Sequence, residues 1–198
     1  MNGKVYFLDI TNMEYDKKII DSLPIYCKEK INKVNNVDLK KSRIFSWYFL
    51  TKILLNDYNI DLCKKNILEN KNGKPYIEGI YFNITHSDKY IGIIIDDVEC
   101  GIDIEKIEIK VNSDKFARKI LTEEELQEFN RNKSIGFLIK KWTKIETHYK
   151  ILGEGIALSN LNNEINSNIT TFLLDEEYYL SYGPKDLKVI NIKDLKIL

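Results

Sequence analysis

The chain has 198 residues, enough for one large domain or two small ones with a full core, and its 30 basic residues balance its 30 acidic ones. Zero formal net charge argues against a nucleic-acid binder driven by bulk charge, and no apolar run is long enough to span a bilayer. Cys27, Cys63 and Cys100 are odd in number, far apart and without a Cys-x-x-Cys. They are therefore expected as reduced thiols of a cytoplasmic protein, and Met1–Asp9 lacks the apolar core of a signal peptide.

In chain order, Val5-Tyr6-Phe7-Leu8 predicts a first strand. Residues 14–34 predict a basic helical stretch interrupted at Pro24 and carrying Lys28, Lys30 and Lys33. From Leu39 to about Asn56, the spacing of Ile44, Trp47, Tyr48, Leu50, Ile53 and Leu54 predicts a buried helix, with Arg43 among the charges that decorate it. Residues 60–72 are polar and loosely helical, and Asn72-Gly73-Lys74-Pro75 signals a turn. Strands are expected over 76–80 and 81–84, broken near Gly79, followed by Thr85-His86-Ser87 as a polar knot between strands. A buried strand is expected over 90–95.

Cys100-Gly101-Ile102-Asp103-Ile104-Glu105 alternates with period two. On a strand, Ile102 and Ile104 share one face while Asp103 and Glu105 share the other, roughly 6–7 Å apart along the chain. Like charges so close raise each other's pKa unless a cation lies between them, and hard oxygens in a rigid pair suit Mg²⁺. Ser113 can cap a short helix to Ile120, and Thr122-Glu123-Glu124-Glu125 is a capping box opening the next. Ser134–Leu152 predicts a long helix with Phe137 or Leu138, Trp142, Ile145, Tyr149 and Leu152 as its buried stripe and Gly153 as a left-handed cap. Glu146 and Lys150 stand four apart beside that stripe, a possible metal ligand or base and a possible phosphate contact. Leu161–Asn168 is an Asn-rich loop, and 170–174, 178–182 and 188–192 read as strands of one antiparallel sheet. Taken singly, these features have plain explanations: acidic pairs and i, i+4 Glu–Lys pairs usually decorate solvated faces, and a lone histidine usually sits hydrogen-bonded at a strand end.

Four motifs in order change this. Gly73-Lys74-Pro75, Phe82-Asn83-Ile84-Thr85-His86-Ser87, Gly101-Ile102-Asp103-Ile104-Glu105 and Trp142-x-x-x-Glu146-x-x-x-Lys150 resemble the 4′-phosphopantetheinyl transferase superfamily, in its longer surfactin-synthetase-activating (Sfp-type) branch. The resemblance covers roughly residues 5–155. It implies an α+β fold of two similar subdomains with pseudo-two-fold symmetry, each a long helix packed on an antiparallel sheet. The coenzyme A-binding half is expected over 1–98, and the half with the metal-binding and catalytic carboxylates over 99–198. The short trimeric branch is disfavoured, because one chain holds both halves; a monomer is expected.

The implied reaction moves the phosphopantetheine arm of coenzyme A onto a serine of an apo acyl or peptidyl carrier protein, with Mg²⁺, and releases 3′,5′-adenosine bisphosphate. In that resemblance Asp103, Glu105 and Glu146 fall on the metal ligands. Glu146 also falls on the base, and Lys150 on the lysine that meets the transferred phosphate. Thr85, His86, Lys74, Arg43 and Lys28 fall on the coenzyme A site. Ile145 stands where the family usually has lysine, on the buried stripe, and Thr85 keeps the hydroxyl of the usual serine. Two other readings use the same residues: a Mg²⁺-dependent phosphohydrolase, and a non-catalytic relative that binds carrier protein or coenzyme A.

Overall fold

The computed structural model describes residues 2–109, 111–156, 161 and 168–194. Two sheets lie face to face between two long helices. The first sheet contains β1 (Lys4–Asp9), β2 (Leu68–Glu69), β3 (Pro75–Ile77), β4 (Ile80–Ser87), β5 (Tyr90–Asp96) and β9 (Lys188–Asn191), in the order β2-β3-β4-β5-β1-β9. The second has the order β6-β8-β7, with β6 at Gly101–Lys106, β7 at Thr170–Leu174 and β8 at Tyr178–Gly183.

Alternation along β5 explains the layering. Ile91, Ile93 and Ile95 enter a core shared with Phe45, Phe49, Leu50 and Ile53 of α3 (Val37–Tyr58). Tyr90 and Ile94 point the other way, into a core with Ile102, Ile104, Leu180 and Tyr182 of the second sheet. All of β5 is consequently buried, and its sequence is an apolar run up to the closing Asp96. A third core of Leu138, Ile145, Ile120 and Phe129 joins α6 (Ile135–Leu152) to α4 (Ser113–Ile120) and α5 (Glu123–Asn132).

Helix ends follow the local chemistry. Asn36 and Ser134 cap the N-termini of α3 and α6 through their side chains, and Asn59 and Gly153 close the C-termini in the left-handed region. The capping box at Thr122 and Glu125 is present. Pro24 opens α2 (Ile25–Asn32), where a proline lacking its N–H is tolerated, after the short α1 (Lys17–Asp21).

Five expectations change. Residues 60–72 hold a 3₁₀ turn and the short β2 in place of a loose helix. Thr85-His86-Ser87 continues β4, paired with β5 to its end at Ser87↔Tyr90. Asn112, one residue before Ser113, caps α4. Leu152 is 45% exposed, whereas Thr143 and Thr147 are fully buried, because α6 also packs on the second sheet. Finally, β9 runs parallel to β1 in the first sheet, so the chain crosses back over the expected boundary near residue 98. Most of the expected Asn-rich loop, residues 162–167, lies outside the described residues.

Candidate active site

The acidic pair sits on the face of β6 that α6 covers. Gly101 begins that face: a Cβ there would lie 2.6 Å from both the Ile151 nitrogen and the Thr147 oxygen, so only glycine lets strand and helix approach this closely. Thr147 fastens the approach, its hydroxyl donating to the carbonyls of Thr143 (2.8 Å) and Ser181 (3.2 Å). Two residues beyond Gly101, Asp103 is 2% exposed beneath α6.

Asp103 is held from both sides. Its Oδ1 accepts from the Lys150 ammonium at 2.6 Å and from the Thr85 hydroxyl at 3.2 Å, and Lys150 also reaches the Thr85 hydroxyl at 3.3 Å. Its Oδ2 is buried without a hydrogen-bond partner. Glu105 follows on the same face, and Glu146 comes from α6. All three carboxyls are pushed up from their usual range. Burial is the largest cause for each; then Asp103 and Glu146 raise Glu105 to about 7, and Asp103 raises Glu146, while Lys150 opposes all three shifts.

A buried carboxylate oxygen with no partner, among carboxyls that disfavour one another's charge, is a site short of positive charge. Among the described residues no cluster of three or more His, Cys, Asp and Glu could hold a metal ion. The donors nonetheless fit Mg²⁺, which takes one or two carboxylates and completes its octahedron with water and phosphate oxygens.

On the other side of β4 lies a second feature. Consecutive strand residues face opposite ways, so Thr85 meets the carboxylates while His86 faces α3. There a cavity of about 300 Å³ is lined by Tyr26, Lys30, Arg43, Trp47, Gly73, Asn83 and His86 among others. His86 is exposed to that space. Protein mass around its ring and the cations of Lys150 and Arg43 push its pKa down, favouring the neutral form. A groove lined by Lys150, Tyr149 and Gly153 shares Gly73, Pro75 and Asn83 with this cavity. β3 pairs with β4 only at Tyr81 and Ile80, so among the described residues no β3 residue pairs with Phe82–Ser87. One extended anionic ligand could pass along that stretch from the cavity to the carboxylates.

Residues 99–183 match the family model of the 4′-phosphopantetheinyl transferase superfamily.

The matched segment is under half of the chain and runs from just before β6 to the end of β8, taking in Asp103, Glu105, Glu146 and Lys150. It supports phosphopantetheinyl transfer in general, and with it coenzyme A and a carrier protein as the partners the family implies. No curated protein matches the chain. No helix among the described residues is long and apolar enough to cross a membrane.

Of the nine residues singled out in the sequence, Asp103, Glu105, Glu146, Lys150 and Thr85 converge at one site, and Arg43 and His86 line the adjoining cavity. Two are engaged elsewhere. Lys28 donates to the Asp21 carbonyl at 2.8 Å, at the end of α1. Lys30, two residues on and across the helix, lines the cavity in its place, paired with Glu69. Lys74 gives its ammonium to the carbonyls of Lys150 (2.6 Å), Cys100 (2.8 Å) and Ile151 (3.2 Å), one for each of its three N–H groups. The resemblance pointed to Lys28, and spacing along a helix or turn does not say where a flexible lysine ends.

Proposed function

We propose that this protein moves the phosphopantetheine arm of coenzyme A onto a serine hydroxyl of an apo acyl or peptidyl carrier protein, with Mg²⁺, in the two-half arrangement of the Sfp-type branch. The observation that carries the reading is the partnerless buried oxygen of Asp103 beside Glu105, Glu146 and Lys150. It lies in the segment that matches the transferase superfamily.

In this reading, Arg43, Lys30 and His86 receive the phosphate-bearing nucleoside end of coenzyme A in their cavity. The diphosphate passes along β4 toward Lys150. Asp103, Glu105 and Glu146 would hold Mg²⁺, which supplies positive charge to the diphosphate as negative charge builds on the leaving group. Glu146 accepts the proton of the carrier serine, directly or through one water. The serine oxygen then bonds to the phosphorus on the pantetheine side. The bond from that phosphorus to the bridging oxygen breaks, and its electron pair leaves with 3′,5′-adenosine bisphosphate. Lys150 neutralises the phosphate that is transferred.

The test is the mass of an apo carrier protein after incubation with the enzyme, coenzyme A and Mg²⁺. The wild type adds one phosphopantetheine. Asp103→Asn, which keeps the buried volume, stays folded by circular dichroism and adds none. Ordinary turnover by that variant contradicts the metal-binding assignment, and hydrolysis of simple phosphate esters with no change in the carrier would favour a phosphohydrolase.

A further inference from the structure

Lys74 stands in the 70–74 turn of the first half, yet all three bonds of its ammonium go to the second half. They join the start of β6, at Cys100, to the last turn of α6, at Lys150 and Ile151. The same turn sends two more bonds across: Asn72 donates to the Gly153 carbonyl at 2.8 Å and Asn70 at 3.4 Å. Asn70 organises the turn itself, its Oδ1 accepting from the backbone nitrogens of Asn72 (2.9 Å) and Lys74 (3.0 Å). Gly153 fits under this turn with a left-handed φ of 64°, and a Cβ there would collide with the Asn70 amide. A cation among the last carbonyls of a helix also answers the negative end of its dipole.

The residue whose carbonyl Lys74 binds most closely is Lys150. Its backbone is thus pinned by one half of the protein while its ammonium is aimed at Asp103 and Thr85. We infer that Lys74 is a positioning residue: it locks the last turn of α6 against β6, and so holds the Lys150 ammonium over the Asp103 carboxylate. The ammonium is half-buried and depressed in pKa by that burial, with its hydrogens turned to protein carbonyls. This inference rests on the proposed transferase reading for its kinetic consequence, and on geometry alone for its physical one.

Two readouts separate these. In the first, Lys150 is labelled by limiting acetic anhydride and followed by peptide mass spectrometry, with no substrate present. Lys74→Met keeps the apolar stem and removes the donors. Acetylation of Lys150 should then rise several-fold relative to exposed lysines such as Lys64, and amide exchange over residues 149–153 should quicken. Lys74→Arg should restore most of the protection. Asn72→Ala, which removes a single bond of the same turn, should move both signals less and in the same direction; it serves if Lys74→Met does not fold. In the second readout, Lys74→Met should lower kcat about tenfold while the dissociation constant for coenzyme A changes less than about twofold, and it should have little further effect in a Lys150→Met background.

Unchanged labelling in folded Lys74→Met, or in Asn72→Ala if the former does not fold, overturns the inference. So does a weakened coenzyme A affinity with kcat unchanged, which would make Lys74 a ligand contact. Equal effects of Lys74→Met with and without Lys150 also overturn it. If the wild type transfers nothing, the transferase reading fails, and the labelling still decides whether Lys74 positions Lys150.

Discussion

Glu146 lies on α6 one turn after Trp142 and one turn before Lys150, with its carboxyl raised by burial and by Asp103. Glu146→Gln keeps an oxygen ligand and removes the proton acceptor. Transfer should fall by a factor on the order of 10²–10⁴ while coenzyme A still binds, and added Mg²⁺ should recover only the part due to metal affinity. Full recovery at high Mg²⁺ would leave Glu146 as a ligand and not a base. Glu105 gives a pH dependence. Its folded pKa is raised from 4.5 to about 7, by burial and then by Asp103 and Glu146. Such a shift favours the fold fully below pH 4.5, where the carboxyl is neutral in both states, and that support is lost as pH rises through 7. Metal-free Glu105→Gln should therefore be more stable than the wild type at pH 8, by on the order of 1–3 kcal/mol, with the gain shrinking toward pH 4.5. Denaturant melts in EDTA at both pH values measure this, and equal stabilities at pH 8 would contradict the crowded-charge description. The shared face of Asp103 and Glu105, and the place of Glu146 one turn before Lys150, were legible because a strand's period of two and a helix's turn fix where short side chains point. Lys28 and Lys74 were not, because a four-carbon stem reaches partners that spacing does not reveal: Asp21 for one, the end of α6 for the other.

Between β6 and α6, the carboxylates meet their helix only because Gly101 has no side chain. Gly101→Ala would press a methyl into the Ile151 nitrogen and the Thr147 oxygen, and either the backbone shifts or α6 lifts. Overpacking of this kind costs about 1–3 kcal/mol, so urea melts should show that loss, and transfer should fall with it as Glu146 and Lys150 move from Asp103. A variant as stable and as active as the wild type would mean that the contact is slack. The apolar stripe of α6 was readable from spacing toward the α4–α5 side, through Leu138 and Ile145. The other buried side was hidden, since Thr143 and Thr147 are polar and stand outside the apolar stripe. Each satisfies its hydroxyl on a carbonyl one turn back, Ile139 for Thr143 and Thr143 for Thr147, and can then be buried. Thr85-His86-Ser87 hid in the same way. Polar residues in a row suggest a loop, yet here they finish β4, with Thr85 turned to Asp103 and His86 to the opposite face.

Across the whole molecule, two sheets share one apolar interface, and the candidate site lies where β4 of the first meets β6 of the second. The Thr85–Asp103 bond and the bond from the Ile102 nitrogen to Asn83 bridge them. A long buried helix and several strands in each half were readable from apolar periodicity. The parallel β1–β9 pair was not, because nothing local in Lys188–Asn191 says that its partner lies near the other end of the chain. In the proposed reading both halves act on one substrate laid along β4: its nucleoside end against Lys30, Arg43 and His86, its diphosphate against Asp103, Glu105, Glu146 and Lys150. The most direct measurement is a quenched time course with coenzyme A and an apo carrier protein, reading the carrier's mass and the free 3′,5′-adenosine bisphosphate together, in Mg²⁺ and in EDTA. Both products should appear together in equal amounts with Mg²⁺, and neither should appear in EDTA. Equal rates in EDTA, or nucleotide released with no gain in carrier mass, would contradict that reading.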